Sequence, residues 1–440
     1  MTAYWLQRAW LGPGRLADKV LLTVDGGHIA TLDIDVAAPP ATARRLPGLT
    51  LPGMANCHSH AFHRALRGRT QTERGTFWTW RERMYAVADR LDPDTYFALA
   101  AATYAEMVAA GFTSVGEFHY LHHDPEGQRY AEPNVMGEAL IAAAREAGIR
   151  IALLDTCYVS SGFGAEPEGV QRRFSDGDAD RWAERVTALA DKHADELDVV
   201  VGAAVHSVRA VPRAQIATVA EWAASRGAPL HAHLSEQIAE NDACMTAYGE
   251  TPAAVLFEAG ALGERTTAVH ATHLTDADIA LLGSQGTDAC FCPTTERDLA
   301  DGVGPSRRLL EAGCPLTLGS DSHSVIDPFE EMRAVELDER LVSRRRGHWS
   351  ADELLVAATS AGHASLGFSG AGRIAVGAPA DLVTLDLESV RTAGAGDGAE
   401  AAVFAASAAD VTHVLSAGSL VDSGRAGRTL GRAITRLWED

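Results

Sequence analysis

The chain has 440 residues, of which 46% are hydrophobic and 22% are charged, a composition typical of folded globular proteins. Its 38 Lys and Arg residues against 59 Asp and Glu residues give a formal net charge of -21. This acidic balance argues against binding to nucleic acid or to anionic membranes, so any positive partner of an anionic substrate must be local.

Cysteine usage and the apolar runs predict a cytoplasmic protein. The six cysteines form no CxxC pair and no small-domain framework, so we expect free thiols in a reducing compartment. No apolar run reaches the ~18 residues that are needed to cross a bilayer, and the first residues lack the apolar stretch of a signal peptide.

The middle of the chain alternates between two kinds of segment. Before residue 51 there are short β-like runs, at 19–24 and 28–34, interrupted by Gly and Pro. Apolar strand-like runs then follow at 49–54, 113–118, 150–156, 199–205, 229–233, 266–270, 288–292 and 315–320. Segments of helical period lie between or after them, at 93–110, 135–147, 180–194, 213–226, 251–259, 276–282 and 350–366. Eight repeats of strand and helix predict an α/β fold, a (β/α)8 TIM-like barrel over residues 51–369.

The pattern returns to β after this barrel. Residues 372–387 and 411–421 have the composition of strands and turns, while 393–408 is predicted to be a loop with a short helix. Because β-rich segments flank the barrel on both sides, we predict one small β-sandwich domain built from both termini, residues 1–50 and 370–440.

Histidines and one aspartate recur where the predicted strands end. In a parallel barrel the carboxyl ends of all strands share one rim, so these side chains are expected to converge on one pocket. They are His58 and His60 after the first run, His119, His206, His233 and His270 at the ends of later runs, and Asp321 and His323 after the last.

Four of these residues form a candidate metal site. His58 and His60, two apart on a strand, point to the same side, and His233 and Asp321 add a third imidazole and a carboxylate. Such a set suits Zn²⁺ at ~2.0–2.2 Å with a position left for water. Fe²⁺ and Mn²⁺ stay open as alternatives. The fourth run carries no lysine or cysteine to bridge a second ion, so one metal per chain is expected.

Glu236 is the candidate general acid and base. It lies three residues after His233 in HAHLSEQ, where a carboxylate on the loop beyond a metal ligand can reach the activated water and the leaving group. His270 and Asp321 are expected to stay close to that water. We assign no role to His122, His123 or His323.

The motifs resemble those of a known superfamily. PGMANCHSH, HAHLSE, VHATH, LGSDSH and a late GxIxxGxxADLV segment are together similar to the amidohydrolase superfamily across nearly the whole chain. Within it, HSHAFHRALRG, TFWTWRERMY, EFHYLHHD and VHSVRAV resemble the formimidoylglutamate deiminases of histidine degradation.

The resemblance implies a reaction and a set of roles. N-formimino-L-glutamate and water would give N-formyl-L-glutamate and ammonia, with a zinc-activated water as nucleophile. The zinc ligands would be His58, His60, His233 and Asp321. Glu236 would carry the proton, His270 would stabilise the water or the tetrahedral intermediate, and Asp321 would help to deprotonate the water. The glutamate portion would contact Arg81, Tyr120, His206, Arg209 and His63, the last at a position where the family commonly has Gln.

Residue chemistry agrees with a small dicarboxylate amidine as the partner. Guanidinium groups bind carboxylates in a bidentate fashion, and Arg209 lies three residues beyond His206 while Arg81 lies in an aromatic-rich loop. The resemblance also suggests a homodimer.

Three alternatives stay open. A zinc deaminase of guanine, cytosine or an adenosine derivative would keep the metal site but need an aromatic or amide-lined pocket. An amidohydrolase of N-acyl amino acids would not release ammonia. A barrel homologue without catalysis, serving as a binding or scaffold subunit, would be expected to lack metal ligands or the proton shuttle.

Overall fold

The computed structural model describes residues 1–71, 75, 77–421 and 426–438, with the side chains of Phe77, Trp78 and Ala426 left out. Across these residues the strands are β1 (Thr2–Trp10), β2 (Leu16–Asp25), β3 (His28–Asp33), β4 (Arg44–Pro52), β5 (Met54–Ser59), β6 (Phe112–His119), β7 (Arg150–Cys157), β8 (Val199–Val205), β9 (Leu230–Leu234), β10 (Thr266–His270), β11 (Asp288–Phe291), β12 (Leu316–Leu318), β13 (Leu382–Leu385), β14 (Val411–Ser416) and β15 (Ser419–Leu420).

The helices lie mainly between the strands of the barrel. Those described are α1 (Phe77–Asp89), α2 (Pro93–Ala110), α3 (Val135–Ala147), α4 (Ala179–Lys192), α5 (Arg213–Arg226), α6 (Ile238–Tyr248), α7 (Pro252–Glu258), α8 (Asp276–Gln285), α9 (Pro293–Asp298), α10 (Ser306–Ala312), α11 (Pro328–Ser343), α12 (Ala351–Val356), α13 (Gly362–Ser365), α14 (Ala399–Phe404) and α15 (Ala426–Trp438). None of the helices in these ranges is long and apolar enough to traverse a lipid bilayer.

Eight of the described strands form the predicted barrel. They run in sequence order from β5 to β12, and each pairs in parallel with its neighbour. The ring closes between Ser59 and Asp321, which form an isolated parallel bridge. There Asp321 N donates to His58 O at 2.9 Å and His60 N donates to Asp321 O at 3.2 Å. The α/β barrel is confirmed, and its seam is made by candidate site residues.

The first predicted strand, 49–54, is wrong in its boundaries. Residues up to Pro52 belong to β4 of the other sheet, and the first barrel strand begins at Met54. The break falls at Gly53, where an added Cβ would lie 2.3 Å from Thr113 Oγ1. The apolar run continues through both strands because both are buried, so the pattern alone does not reveal the division.

The described part of the termini builds a seven-stranded mixed sheet, in the order β15-β14-β13-β4-β1-β2-β3. Its edge strand β3 also contacts the segment that leads into β13, where His28 forms an isolated antiparallel bridge with Pro379. The sheet encloses a core of its own, which includes Tyr4, Leu6, Val20, Leu22, Ile29, Leu382 and Leu415. This is the predicted β-sandwich beside the barrel.

Two later segments leave this sheet and contact barrel helices. Helix α14 packs against α11 and α12, and Arg333 of α11 donates to the carbonyl of Ala406 at 2.7 Å. Helix α15 packs against α2, and Trp438 Nε1 donates to the carbonyl of Ala65 at 3.0 Å. The division of the chain at residues 50 and 370 stays a prediction.

Local sequence explains where helix α2 begins and ends and how the chain then enters β6. Helix α2 begins at a capping box, in which Thr95 N donates to Asp92 Oδ1 at 2.8 Å and the Thr95 side chain returns to the Asp92 backbone. It ends at Gly111, whose φ of +107° few other residues adopt. The chain then enters β6 directly, so the end of this strand reaches the rim that carries the site.

Candidate active site

Strained backbone marks the carboxyl ends of the barrel strands. Ser235, His270 and Asp321 have φ values of +51°, +68° and +42°, in the left-handed region that non-glycine residues seldom adopt. Each such residue costs of order 1–3 kcal/mol and persists only where its surroundings hold it. Here the strain turns the chain at the rim, so that side chains from separate strands face one centre.

The four predicted metal ligands meet at this centre. His58 Nε2 lies 3.0 Å from His233 Nε2 and 3.3 Å from Asp321 Oδ1. His60 Nε2 also lies 3.3 Å from Asp321 Oδ1. Two overlapping groups have the spacing of a metal site, namely His58, His60 and Asp321, and His58, His233 and His270.

Hydrogen bonds on the far side of two imidazoles fix their tautomers. His60 Nδ1 lies 3.0 Å from the carbonyl of Phe118, and His233 Nδ1 lies 2.9 Å from the carbonyl of His206. Because a carbonyl only accepts, both Nδ1 atoms are donors, and both Nε2 atoms present lone pairs. These lone pairs converge with the carboxylate of Asp321, an arrangement that a cation would stabilise.

Burial also favours the protonation states that metal binding needs. It lowers the pKa of His58 to about 3 and the pKa values of His60 and His233 below the usual range, so the three imidazoles are neutral. Burial alone would raise the pKa of Asp321, but the contacts with His58 and His60 hold it well below its usual value. The donor set therefore fits a divalent metal such as zinc.

The candidate acid and base group lies beside this centre. His270 Nε2 is 3.9 Å from Glu236 Oε1 and 4.0 Å from Asp321 Oδ2. Burial raises the pKa of Glu236, although the nearby His270 acts in the opposite direction. For His270, burial alone would lower the pKa, but the surrounding carboxylates, Glu236 first, raise it well above its ordinary value.

A cavity opens over these groups, and every predicted substrate contact lines it. Arg209 Nε donates to Glu240 Oε2 at 3.4 Å, and the Arg81 guanidinium lies 5.1 Å from the centre of the Tyr85 ring. His63 Nε2 lies 3.0 Å from the Tyr120 hydroxyl oxygen. The lining comprises His60, His63, Trp80, Arg81, Met84, Tyr85, Tyr120, Tyr158, Phe174, His206, Arg209, His233, Glu236, His270, Leu299 and Asp321.

Sequence reasoning missed a hydrogen-bonded chain beneath the ligands. Ser59 donates to Glu117 Oε2 at 2.6 Å, His323 Nε2 lies 3.1 Å from Ser59 Oγ, and Ser320 Oγ lies 3.0 Å from His323 Nδ1. Burial raises the pKa of Glu117 to about 7. Because Ser59 lies between His58 and His60, this chain supports both of these predicted ligands. Glu117 lies inside the otherwise mostly apolar strand β6. A glutamate at such a position indicates a buried, hydrogen-bonded carboxyl group, and this could have been noticed in the sequence.

Glu240 was also missed. It lies in α6, four residues after Glu236, and its side chain, 4% exposed, accepts from Arg209 and from Ser235 N. A glutamate four residues beyond a proposed acid and base group on a short helix reads as a solvated residue in the sequence. The start of α6, where Glu240 accepts from Ser235 N, brings its side chain to the guanidinium.

A second group of metal-ligating residues lies below the barrel rim, formed by His119, His122 and Asp155. Both oxygens of Asp155 accept from Arg185 at 2.8 Å, and one also accepts from Trp182 Nε1 at 2.9 Å. The guanidinium already neutralises this carboxylate, and it would repel a metal cation. The group is a buried ion pair with histidine neighbours.

Comparisons with known proteins agree with this geometry. A formimidoylglutamate deiminase of Pseudomonas aeruginosa is 38% identical over 401 residues, which cover 88% of this chain and 86% of that protein. An 8-oxoguanine deaminase of the same species is 30% identical over 397 residues, with coverage of 88% and 86%.

Solved structures share the architecture over their whole length. An amidohydrolase from Brucella melitensis has a TM-score of 0.91 at 33% identity, and the match covers 99% of this chain and 100% of that one. An adenosine deaminase from Xanthomonas campestris with bound zinc has a TM-score of 0.84 at 23% identity, with coverage of 100% and 99%, which shows the shared fold. Residues 49–421 match the model of the amidohydrolase family, and the chain belongs to this family of hydrolases as an enzyme that acts on a carbon–nitrogen bond.

Proposed function

We propose that the chain hydrolyses N-formimino-L-glutamate to N-formyl-L-glutamate and ammonia. The observation that carries this proposal is that Arg81 and Arg209 line the same cavity as the metal-ligand cluster. An amidine with two carboxylates needs a hydrolytic centre and guanidinium donors within one pocket. The similarity to a formimidoylglutamate deiminase over most of the chain supports the same substrate.

The residues that would hold the metal are His58, His60, His233 and Asp321, with one zinc ion per chain and Fe²⁺ or Mn²⁺ as alternatives. When bound, zinc lowers the pKa of water in its coordination sphere towards ~7 and so supplies a nucleophile at neutral pH. The second nitrogens of His60 and His233, which donate to backbone carbonyls, keep both rings oriented toward the centre.

The side chains around the attacking water would carry out the proton transfers. Water adds to the formimino carbon, and Glu236 takes one proton from it and delivers that proton to the terminal nitrogen. Glu236 then passes the proton of the new hydroxyl group to the same nitrogen. The bond from the carbon to that nitrogen breaks, ammonia leaves, and the formyl group stays on the amino acid. Asp321 assists the first deprotonation, and His270, close to both carboxylates, stabilises the charge that develops on oxygen.

The glutamate portion would be oriented by the opposite wall of the cavity. Arg209 uses its Nε donor for Glu240, and a guanidinium has five N–H donors in all, so Arg209 can bind a carboxylate while it stays anchored. Arg81, His63, Tyr120 and His206 complete the proposed contacts. Burial lowers the pKa of His63 and His206 well below the usual value, so both act as neutral hydrogen-bonding groups.

The test is an assay of the zinc-loaded protein with N-formimino-L-glutamate, in which ammonia and N-formylglutamate are both measured. We expect the two products in equal amounts. The matched control is N-formiminoglycine, which keeps the reacting group and lacks the side-chain carboxylate, and it should react with a much higher KM. Absence of N-formylglutamate with fully loaded protein would refute the proposal.

Deamination of an aromatic base is the second candidate. Five aromatic side chains line the cavity, and a relative that is 30% identical is an 8-oxoguanine deaminase. The same ammonia assay with guanine, 8-oxoguanine, cytosine and adenosine separates the two functions. Turnover of a base above that of formiminoglutamate would favour this candidate.

We propose a cytoplasmic enzyme that acts on a small solute and binds neither nucleic acid nor membranes, in keeping with the net charge of -21. A homodimer is expected from the resemblance, and the mass of the protein in solution tests it.

A further inference from the structure

A buried glutamate outside the cavity lining lies directly behind His270. Glu296 belongs to α9, the short helix that follows β11, and is 5% exposed. Its Oε1 atom accepts from Cys292 N at 2.9 Å and lies 3.4 Å from His270 Nδ1. One carboxylate oxygen thus joins the first turn of α9 to the imidazole that ends β10.

The rest of the segment holds this glutamate in place. Glu296 N donates to the carbonyl of Cys292 at 3.0 Å, and the carbonyl of Glu296 accepts from Asp301 N at 2.9 Å. The side chain of Asp301 in turn accepts from Gln237, the neighbour of Glu236. The segment after β11 therefore contacts His270 through Glu296, and it contacts Gln237, next to Glu236, through Asp301.

The two nitrogens of His270 face different groups. Nδ1 faces Glu296, whereas Nε2 faces Glu236 and Asp321, 3.9 and 4.0 Å away. A hydrogen bond to one ring nitrogen fixes the orientation of the ring and therefore the direction in which the other nitrogen points. His270 needs such a partner because its φ of +68° is a conformation that the local backbone does not favour.

We propose that Glu296 is a positioning residue for His270, which keeps Nδ1 as the donor and directs Nε2 toward the reacting carbon; this role rests on the proposed function. Glu296 does not touch the substrate in this proposal. It acts on the rate of the chemical step through the imidazole, so its loss affects kcat more than KM.

The kinetic test compares two buried glutamates of the same region. In Glu296→Gln, the amide weakens the bond to Nδ1 or reverses it, and we expect kcat to fall ~10- to 100-fold while KM stays within ~2-fold. The matched control is Glu331→Gln. Glu331 is 1% exposed and accepts from Thr294 N at 3.1 Å and from Thr294 Oγ1 at 2.5 Å, so it anchors the start of α9. This variant should keep kcat within ~2-fold of the parent.

A spectroscopic test needs no substrate. In zinc-loaded protein labelled with ¹⁵N-histidine, the resonances of His270 are assigned by their loss in His270→Asn. We expect a protonated Nδ1 in the parent and in Glu331→Gln, and a changed Nδ1 signal in Glu296→Gln. An unchanged signal in Glu296→Gln, or a kcat equal to that of Glu331→Gln, would overturn the proposal.

The two tests separate this inference from the proposed function. If the parent fails to hydrolyse formiminoglutamate while the Nδ1 signal still depends on Glu296, the substrate is wrong and the positioning of His270 stands. If the parent is active and the Nδ1 signal does not depend on Glu296, the proposed function stands and the positioning role is wrong.

Discussion

The Nε2 atom of His58 lies 3.0 Å from the Nε2 atom of His233, although the second nitrogen of His233 already donates to a backbone carbonyl. His233 therefore presents a lone pair to His58. Nε2 of His58 is therefore the donor of this pair, with the carboxylate of Asp321 3.3 Å from the same atom, and its own Nδ1 is buried without a hydrogen-bond partner. Binding of the proposed metal at these nitrogens would displace the Nε2 proton of His58 and move it to Nδ1 of the same ring.

Removal of the metal is expected to destabilise the fold. A ligand that binds only the folded state stabilises it by ~2.7 kcal/mol at 100 times its Kd. Dialysis against a chelator should lower Tm, and one equivalent of Zn²⁺ per chain should restore it in a thermal scan. A Tm that ignores both treatments, in protein shown by elemental analysis to change its metal content, would contradict this site.

The replacement Glu236→Gln tests the acid and base assignment. The amide keeps the shape of the side chain and cannot carry the proton, so kcat should fall ~10²- to 10⁴-fold. Zinc content should stay near one per chain, because Glu236 is not among the proposed ligands. Elemental analysis and steady-state kinetics measure the two properties, and a variant with most of its rate would show that another group transfers the proton.

Arg209→Lys tests the grip on the substrate. Lysine keeps the charge but loses the planar fork and the anchoring bond to Glu240, so KM for formiminoglutamate should rise ~10- to 100-fold. The control is Arg213→Lys on α5, where the guanidinium pairs with Glu250 at 3.3 Å outside the cavity lining. Equal KM values for the two variants would argue against a substrate contact at Arg209.

Asp288 makes stability depend on pH away from the site. It begins β11, at the end of the barrel opposite the rim, and burial raises its pKa to about 7. In the unfolded chain the pKa is ~3.9, so the folded state loses stability as pH rises from ~4 to ~7. Asp288→Asn should remove this loss. The variant should have a higher Tm than the parent at pH 8, and the difference should shrink toward pH 4.

The barrel and the convergence of the candidate metal ligands follow from the sequence for a physical reason. Buried parallel strands are short apolar runs, and a residue just past each run must lie on the common rim. His58, His233 and Asp321 could thus be predicted to converge although they lie far apart in the chain. The supporting groups could not be predicted in this way, because Glu117 and Glu240 reach the site through side-chain packing that leaves no period in the sequence.

The strand boundary near residue 53 and the last helix were beyond prediction for a related reason. Both β4 and β5 are buried, so a single apolar run hides the change from one sheet to the other. Helix α15 is amphipathic, which indicates that one face is covered, but the sequence does not say by what. The structure places it against α2.

The hydrogen bond from Trp438 to the carbonyl of Ala65 connects helix α15 to the neighbourhood of the candidate site, although α15 is the last helix described. Ala65 belongs to the short 3₁₀ helix, Ala61–Leu66, that follows His60 and carries His63. Helix α15 thus supports the segment that carries His60 and His63. Deletions of α15, or fusions that displace it, should therefore disturb the geometry of the proposed metal site. A purification tag is better placed at the amino terminus.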